Sequence, residues 1–557
     1  MSHRSRGLSL VAAVPLLVGC VLGGLLGGRV QADARHDGLW TFGRVLAIVE
    51  DEYVGEIDSK ELVKGAIDGL LSALDPHSNY LDADSFSEMR DEQQGRFHGL
   101  GIQITKRGSD KPLTIIAPID GTPAWRAGLI SGDIISEIEG APTIDLSVQQ
   151  AVRLLKGDKG TEVTITIERP GLDDPFQVTI ERDEIPIQSV RVAYMVHPDV
   201  GVVRIGNFNS TTADELDAAI VQLQAEGMTR LILDLRSNPG GLLEQAVEVS
   251  ERFIDPGKMI VYTQGRIAGS NQRFVARSNR TRVDMPLVIL VDRSSASASE
   301  IVSGAIQDHD RGLVVGETTF GKGLVQRVIP IQSGNGSALA VTTAKYYTPA
   351  GRLIQRDYSD LDDYYMMGRD DVEEADDVED VEDVEEPENP ERQPLLVEPE
   401  VPEAEQEIFH TGLGREVFGG GGITPDYIVK SPRVADLWYQ LNRENLIFDY
   451  AVLYISRYPD VEKGFQVDDA VFRDFQTLLG ERELDYSDED FEEARSDIEI
   501  RLRAQIARIK WGVVEESRIR ATGDPQIQRA LEILDEAAAL ARQAEVLDAA
   551  GSASSPL

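Results

Sequence analysis

Cysteine is nearly absent from this 557-residue chain: Cys20 stands alone, so no disulfide can form within it. Because Cys20 falls in a stretch that reads as a leader, its isolation says nothing about redox compartment. Histidine is scarce, with seven residues (His3, His36, His77, His98, His197, His309 and His410). No two of them have metal-ligand spacing, which argues against a zinc hydrolase. Basic residues are in deficit: 55 Lys and Arg face 96 Asp and Glu, for a net charge of −41. Such a chain is a poor partner for nucleic acid. The acidic residues lack EF-hand spacing, so calcium binding has no motif behind it. Long apolar runs are also missing, except for one near the start.

That run, Leu8 to Leu26, comes after Arg4 and Arg6 and makes residues 1–34 a targeting segment. Ala32-Asp33-Ala34 has the small-x-small form of a signal peptidase site. Leu17-Val18-Gly19-Cys20 matches a lipobox, although apolar residues come directly after the cysteine. The run also approaches spanning length, so residues 8–28 can serve as an uncleaved membrane anchor. All three readings export the body of the protein to a periplasmic or other extracytoplasmic space, the third tethering it to the inner membrane.

The chemistry concentrates between Asp292 and Gln326. Leu287-Val-Ile-Leu-Val291 is a short continuous apolar run, as a buried strand would be. Next come Ser294 to Ser299 in S-S-A-S-A-S, and Glu300 to Asp308 spaces its apolar residues like a helix. A serine therefore sits where a strand turns into a helix, a geometry that exposes a hydroxyl beside free backbone N–H groups. Serines at a helix entry also cap, which is the plainer reading. Lys322 weighs against that reading, because it lies in the turn Gly321-Lys322-Gly323, where a lysine has little packing use. A lysine can act as a serine's base if it is neutral, whereas a solvated lysine stays protonated to near pH 10. His309, the only histidine near in sequence, would lie ~18 Å down the helix.

The run S-A-S-A-S-E, then Q-D, then T-F-G-K-G-L-V-Q resembles the carboxy-terminal processing proteases, tail-specific serine peptidases with a Ser–Lys dyad and a PDZ domain. The resemblance extends from about Leu62 to about Asp426, apart from an acidic insertion. It implies that Ser297 is the nucleophile, Lys322 the base, and Gln326 the residue that positions the lysine. It also implies an oxyanion hole formed by the N–H of Ala298 with that of Gly240 or Gly241, from Asp234-Leu-Arg-Ser-Asn-Pro-Gly-Gly241. No cofactor or metal is implied.

The implied fold is multi-domain α/β: a crotonase- or ClpP-like α/β protease core, an in-line PDZ domain, and helical regions at both ends. Residues 36–95 have helical spacing up to Asp75-Pro76-His77-Ser78, which reads as a turn and cap. Residues 96–184 resemble a PDZ domain, with Gly99-Leu100-Gly101-Ile102 as the loop that would hold a peptide's terminal carboxylate. Residues 185–358 and 408–430 form the expected core. Residues 359–407, whose only basic residues are Arg369 and Arg392, are expected to be a disordered acidic insertion looping out at the surface. Residues 431–557 are again helical by spacing, and their pattern does not say whether they pack on the chain or join subunits.

These features together describe an exported serine endopeptidase that takes proteins by apolar C-terminal tails. A homo-oligomer and an adaptor lipoprotein remain open. The rival from another class is a non-catalytic PDZ scaffold of the cell envelope, which would have no need of Ser297, Lys322 and Gln326 together.

Overall fold

The structure, a computed structural model, describes residues 37–106, 111–277, 283–331, 336–359, 364, 407–431 and 435–553. The targeting segment 1–34, with Cys20, and the acidic stretch other than Ser359, Tyr364 and Glu407 lie outside the described residues. Among the described residues no helix is long and apolar enough to cross a membrane. The chain divides into two compact units, Met1–Asp75 and Pro76–Leu557.

The first unit holds a helix over 37–52 and a second, Ser59–Ser72, which starts where the Asp58 carboxylate accepts the Lys60 N–H at 2.8 Å. This is the helical lead-in that the apolar spacing predicts. The helical region of 36–95 is interrupted at Asp75-Pro76-His77-Ser78, the turn where the spacing ends the helix. Asn79–Leu81 is a strand, paired antiparallel with Ala338–Tyr347, before a helix resumes at Ala83–Gln94. Three residues are too few for periodicity to reveal, and the pairing partner lies far along the chain.

In the second unit, a PDZ-like sheet runs in the order Ile102–Thr105, Thr114–Pro118, Ile134–Ile138, Glu162–Glu168, Phe176–Glu181, all antiparallel. Val163, Ile165 and Ile167 alternate inward at period two to build its core. The helix Val148–Leu155 falls where its amphipathic spacing places it, opened by a Ser147–Gln150 capping box. The expected boundary at residue 184 cuts through a strand. Asp183–Pro186 pairs with Arg96–Gly99 in a two-stranded ribbon that leads into and out of the PDZ module.

The protease sheet has six strands in the order Val190–His197, Val200–Ile205, Arg230–Asp234, Leu287–Val291, Leu313–Gly316, Tyr427–Ile428. The first pair is antiparallel and the rest are parallel. Parallel strands need crossovers, and the helices Thr212–Ala225, Leu243–Ser250 and Ala298–Asp308 lie within them. Leu287–Val291 shows why its sequence is continuously apolar. Leu287, Ile289 and Val291 face the crossover helices, while Val288 and Leu290 face a second layer. That second layer is the C-terminal helix Pro525–Ala553, which lays Ile527, Ala530, Ile533, Leu534 and Ala537 on the sheet. The helices between, Asp436–Arg443, Leu446–Arg457, Asp469–Glu481 and Asp488–Trp511, enclose a core of their own around Leu441, Tyr450, Phe475 and Phe491.

A second sheet, carrying Leu324–Pro330 and Met259–Gln264 on the long strand Ala338–Tyr347, stands beside the first. The chain on the two sides of the acidic stretch is stitched together: Gly422 N–H donates to Ile354 O at 3.0 Å and Gly420 N–H to Leu353 O at 2.7 Å.

Candidate active site

Strand Leu287–Val291 ends in Asp292, whose carboxylate collects the N–H groups of Ser237 and Ser294. The next serines are tied inward. Ser295 Oγ donates to Leu235 O at 2.9 Å, and Ser299 Oγ donates to Asn238 O at 2.9 Å; both residues are buried. Ser297, between them, caps the helix Ala298–Asp308 with φ 54° and ψ −109°. A non-glycine residue held at positive φ costs of order 1–3 kcal/mol and persists only where its surroundings enforce it. It is the strained strand-to-helix turn that presents a serine hydroxyl above a parallel sheet.

Glu300 does the enforcing. It is fully buried, and both its oxygens are filled by donors. Oε1 accepts from Thr319 Oγ1 at 2.6 Å and Gly321 N–H at 2.7 Å. Oε2 accepts from Ser297 N–H at 2.7 Å and Lys322 N–H at 3.0 Å. One carboxylate oxygen thus joins the backbones of Ser297 and Lys322, residues far apart in sequence. The Tyr346 hydroxyl closes the other side, within reach of Ser297 O at 3.2 Å and of Lys322 O. Burial pushes the Glu300 carboxyl above its ordinary pKa, and the bonds from Thr319, Gly321, Lys322 and Ser297 pull against that rise. Burial and then Glu300 raise the Tyr346 phenol well above its usual value, so it stays a neutral donor.

The loop bearing Lys322 packs tightly, and its glycines are the reason. A Cβ on Gly321, at φ 85°, would stand 2.9 Å from Arg356 Cβ, so a side chain there would push the loop off its support. Lys322 Nζ donates to Gln326 Oε1 at 3.4 Å. Gln326 opens at a register shift in its strand, and its Nε2 donates to His77 O. The amide's amino end is therefore committed, which leaves the oxygen end for the lysine.

Beside Ser297 lies the turn Ser237 to Gly241. A Cβ on Gly240, φ 101°, would meet Ser297 Cβ at 2.8 Å and Ala298 N at 2.9 Å. The Gly240 N–H is already used, donating to Asn238 Oδ1 at 2.9 Å. Neither Gly241 N–H nor Ala298 N–H donates to any group among the described residues. Arg236 in the same turn bonds Asp234 Oδ2 at 2.8 Å and Asp524 Oδ2 at 2.7 Å, linking the turn to the start of the C-terminal helix.

Of the residues that the sequence singled out, Ser297, Lys322, Gln326, Ala298, Gly240 and Gly241 come together here. His309 does not: it caps the far end of the helix, half-buried, its Nε2 2.6 Å from Met259 O, and burial lowers its pKa. Gly99, Leu100, Gly101 and Ile102 sit elsewhere, where the ribbon strand Arg96–Gly99 passes into the edge strand Ile102–Thr105 of the PDZ sheet. There Ala124 and Ile119 N–H hold the carbonyls of Leu100 and Gly101, and Gly101 takes φ 78°. The pattern did not reveal Glu300, Tyr346 or the carbonyl of His77. Glu300 had a signal, since Ser297-x-x-Glu300 has the spacing of a capping box; the other two had none.

Models of known families match along the chain. Residues 28–85 match the activating protease CtpB N-terminal domain, 114–169 a PDZ domain, 199–362 peptidase family S41, and 437–490 the C-terminal helical domain of a probable PDZ-protease. A carboxy-terminal-processing protease of Bartonella bacilliformis is 42% identical over 318 residues, covering 56% of this chain and 72% of that one. The carboxy-terminal processing protease CtpA of Bacillus subtilis is 37% identical over 309 residues, covering 55% of this chain and 65% of that one. Among solved structures, a photosystem II D1 C-terminal processing protease is 31% identical, covering 56% of this chain and 82% of that one, with a TM-score of 0.32. The class is thus a PDZ-bearing serine-type peptidase. The chain belongs to the carboxy-terminal processing proteases, peptidase family S41.

Proposed function

We propose that this chain is an exported endopeptidase that selects proteins by their C-terminal tails and cuts them with a Ser297–Lys322 dyad. The observation that carries this reading is the shared carboxylate oxygen of Glu300, which pins the backbones of Ser297 and Lys322 side by side. Lys322, as a neutral amine held by Gln326, takes the proton of Ser297 Oγ, and the oxygen attacks the scissile carbonyl. Charge then develops on the carbonyl oxygen, and the two unused N–H groups, of Gly241 and Ala298, are the donors for it. Gly240, lacking a side chain, lets the turn approach. Lys322 next gives its proton to the leaving amine, and an ester on Ser297 remains. Water, deprotonated by the same lysine, releases the acid and restores the serine. The core is of the crotonase- or ClpP-like kind, a reading supported by the parallel sheet with crossover helices beside a second sheet. Export rests on the targeting segment, and tail selection on the PDZ edge strand with its glycine-bounded loop.

Acid quenching early in turnover of a peptide substrate tests the covalent step. The peptide containing Ser297 should gain the mass of the acyl fragment, and Ser297→Ala should neither gain it nor cleave. An adduct on another serine, or a full rate in Ser297→Ala, would overturn the assignment.

A further inference from the structure

Tyr364 lies within the acidic stretch 359–407, next to Asp362 and Asp363, yet it is only 1% exposed. Its hydroxyl oxygen is 2.7 Å from His77 Nε2. Its ring meets His77 edge-on at 5.7 Å between centroids and Phe320 edge-on at 5.3 Å. Both neighbours belong to the machinery of the lysine. His77 supplies the carbonyl that accepts Gln326 Nε2, and Phe320 stands two residues before Lys322 in the same loop. Tyr364 is therefore a wedge between the turn that orients Gln326 and the loop that carries Lys322.

We propose that Tyr364 is a positioning residue for the base, acting through the His77 ring and carbonyl on Gln326 and so on Lys322. The physical case rests on rigidity. The carbonyl of His77 sits in a short turn that leads into the three-residue strand Asn79–Leu81. A side chain anchored by a buried hydrogen bond fixes the direction of its own backbone, and here that backbone decides which end of the Gln326 amide faces the amine. Displacement of a reacting group by about 1 Å can cost on the order of a hundredfold in rate. Tyr364 is thereby fastened to the element that orients the base.

This inference rests on Lys322 being the base, and the test separates the two claims. In the full chain, Tyr364→Phe keeps the ring and removes the hydroxyl, and His77→Phe removes the other half of the bond while keeping the carbonyl. Steady-state cleavage of a peptide with a free apolar tail is read per folded enzyme, alongside thermal melting. Each substitution should lower kcat by about tenfold with KM nearly unchanged, and the double variant should be no slower than either single one. Tyr358→Phe, the same change on a tyrosine 6.2 Å from Tyr364 by ring centroids, should leave kcat alone. Wild-type kcat in Tyr364→Phe would overturn the proposal. So would losses in the two single variants that multiply in the double one, or a lower melting temperature with kcat retained. If Lys322→Ala is inactive while Tyr364→Phe is normal, only the positioning role falls. If Lys322→Ala cleaves normally, the dyad itself is wrong.

Discussion

Glu300 is the residue on which the site turns, although it would touch no substrate. Oε1 receives two donors and Oε2 three, so no orientation of a glutamine can replace it. Whichever way the amide is placed, its NH2 meets at least one backbone N–H that can only donate. Leaving buried donors unpaired costs about 1–3 kcal/mol each. Glu300→Gln should therefore destabilise the protein by about 2–4 kcal/mol in denaturant unfolding and depress cleavage in the fraction that stays folded. A variant as stable and active as the parent would show that the carboxylate is not a clamp. At this scale the sequence was partly legible. Ser297, Lys322 and Gln326 could be named because their motif is local and dense. The donors around Glu300 come from residues 297, 319, 321, 322 and 346, and the return of the chain to one point is a property of the two sheets, not of any window of sequence. For the same reason Asp75-Pro76-His77-Ser78 read as a turn, which it is, while the carbonyl aimed at Gln326 stayed hidden.

Among the elements, strand Leu287–Val291 and helix Pro525–Ala553 show how far a pattern reaches. The strand's unbroken apolar run already implied cover on both faces. The helix shows an apolar stripe through Ile527, Ile533 and Leu534, which calls for a partner without naming one. That partner is the chain's own sheet, so the question of packing against docking, open from the pattern, is answered for this stripe. Fully burying such a side chain stabilises by about 1.5–3 kcal/mol, and truncating one leaves a cavity as well. Leu534→Ala should cost about 2–5 kcal/mol in chemical denaturation. A loss below about 0.5 kcal/mol would mean that the helix does not rest on the sheet. The helix also reaches the turn beside Ser297, because Asp524 caps its first turn, accepting from Gln526 and Ile527 N–H, and bonds Arg236.

For the molecule as a whole, the proposed function assigns recognition and cleavage to separate modules of one unit. The PDZ strand Ile102–Thr105 ends its sheet among the described residues, and in the proposed reading an extended peptide pairs along it with its carboxylate at the loop before it. Amidating a substrate's C-terminus should lower kcat/KM by about tenfold or more for substrates taken by the tail, as loss of a charge-assisted hydrogen bond implies. Equal rates for free and amidated tails would remove the PDZ module from selection. The PDZ sheet and the parallel sheet with its crossover helices were legible, because each carries its own periodicity and turns. The strand Asn79–Leu81, the ribbon Arg96–Gly99 with Asp183–Pro186, and buried Tyr364 were not, since each is a short segment defined by a distant partner. In the proposed mechanism, cleavage depends above all on Lys322 accepting the proton of Ser297. Single-turnover hydrolysis of an unfolded reporter with an apolar free tail, by Lys322→Arg verified as folded, tests that transfer most directly. Arginine keeps the positive charge and cannot give up its proton, so the rate should fall by about a thousandfold or more. Hydrolysis by folded Lys322→Arg at the parent's rate would mean that Lys322 is not the base.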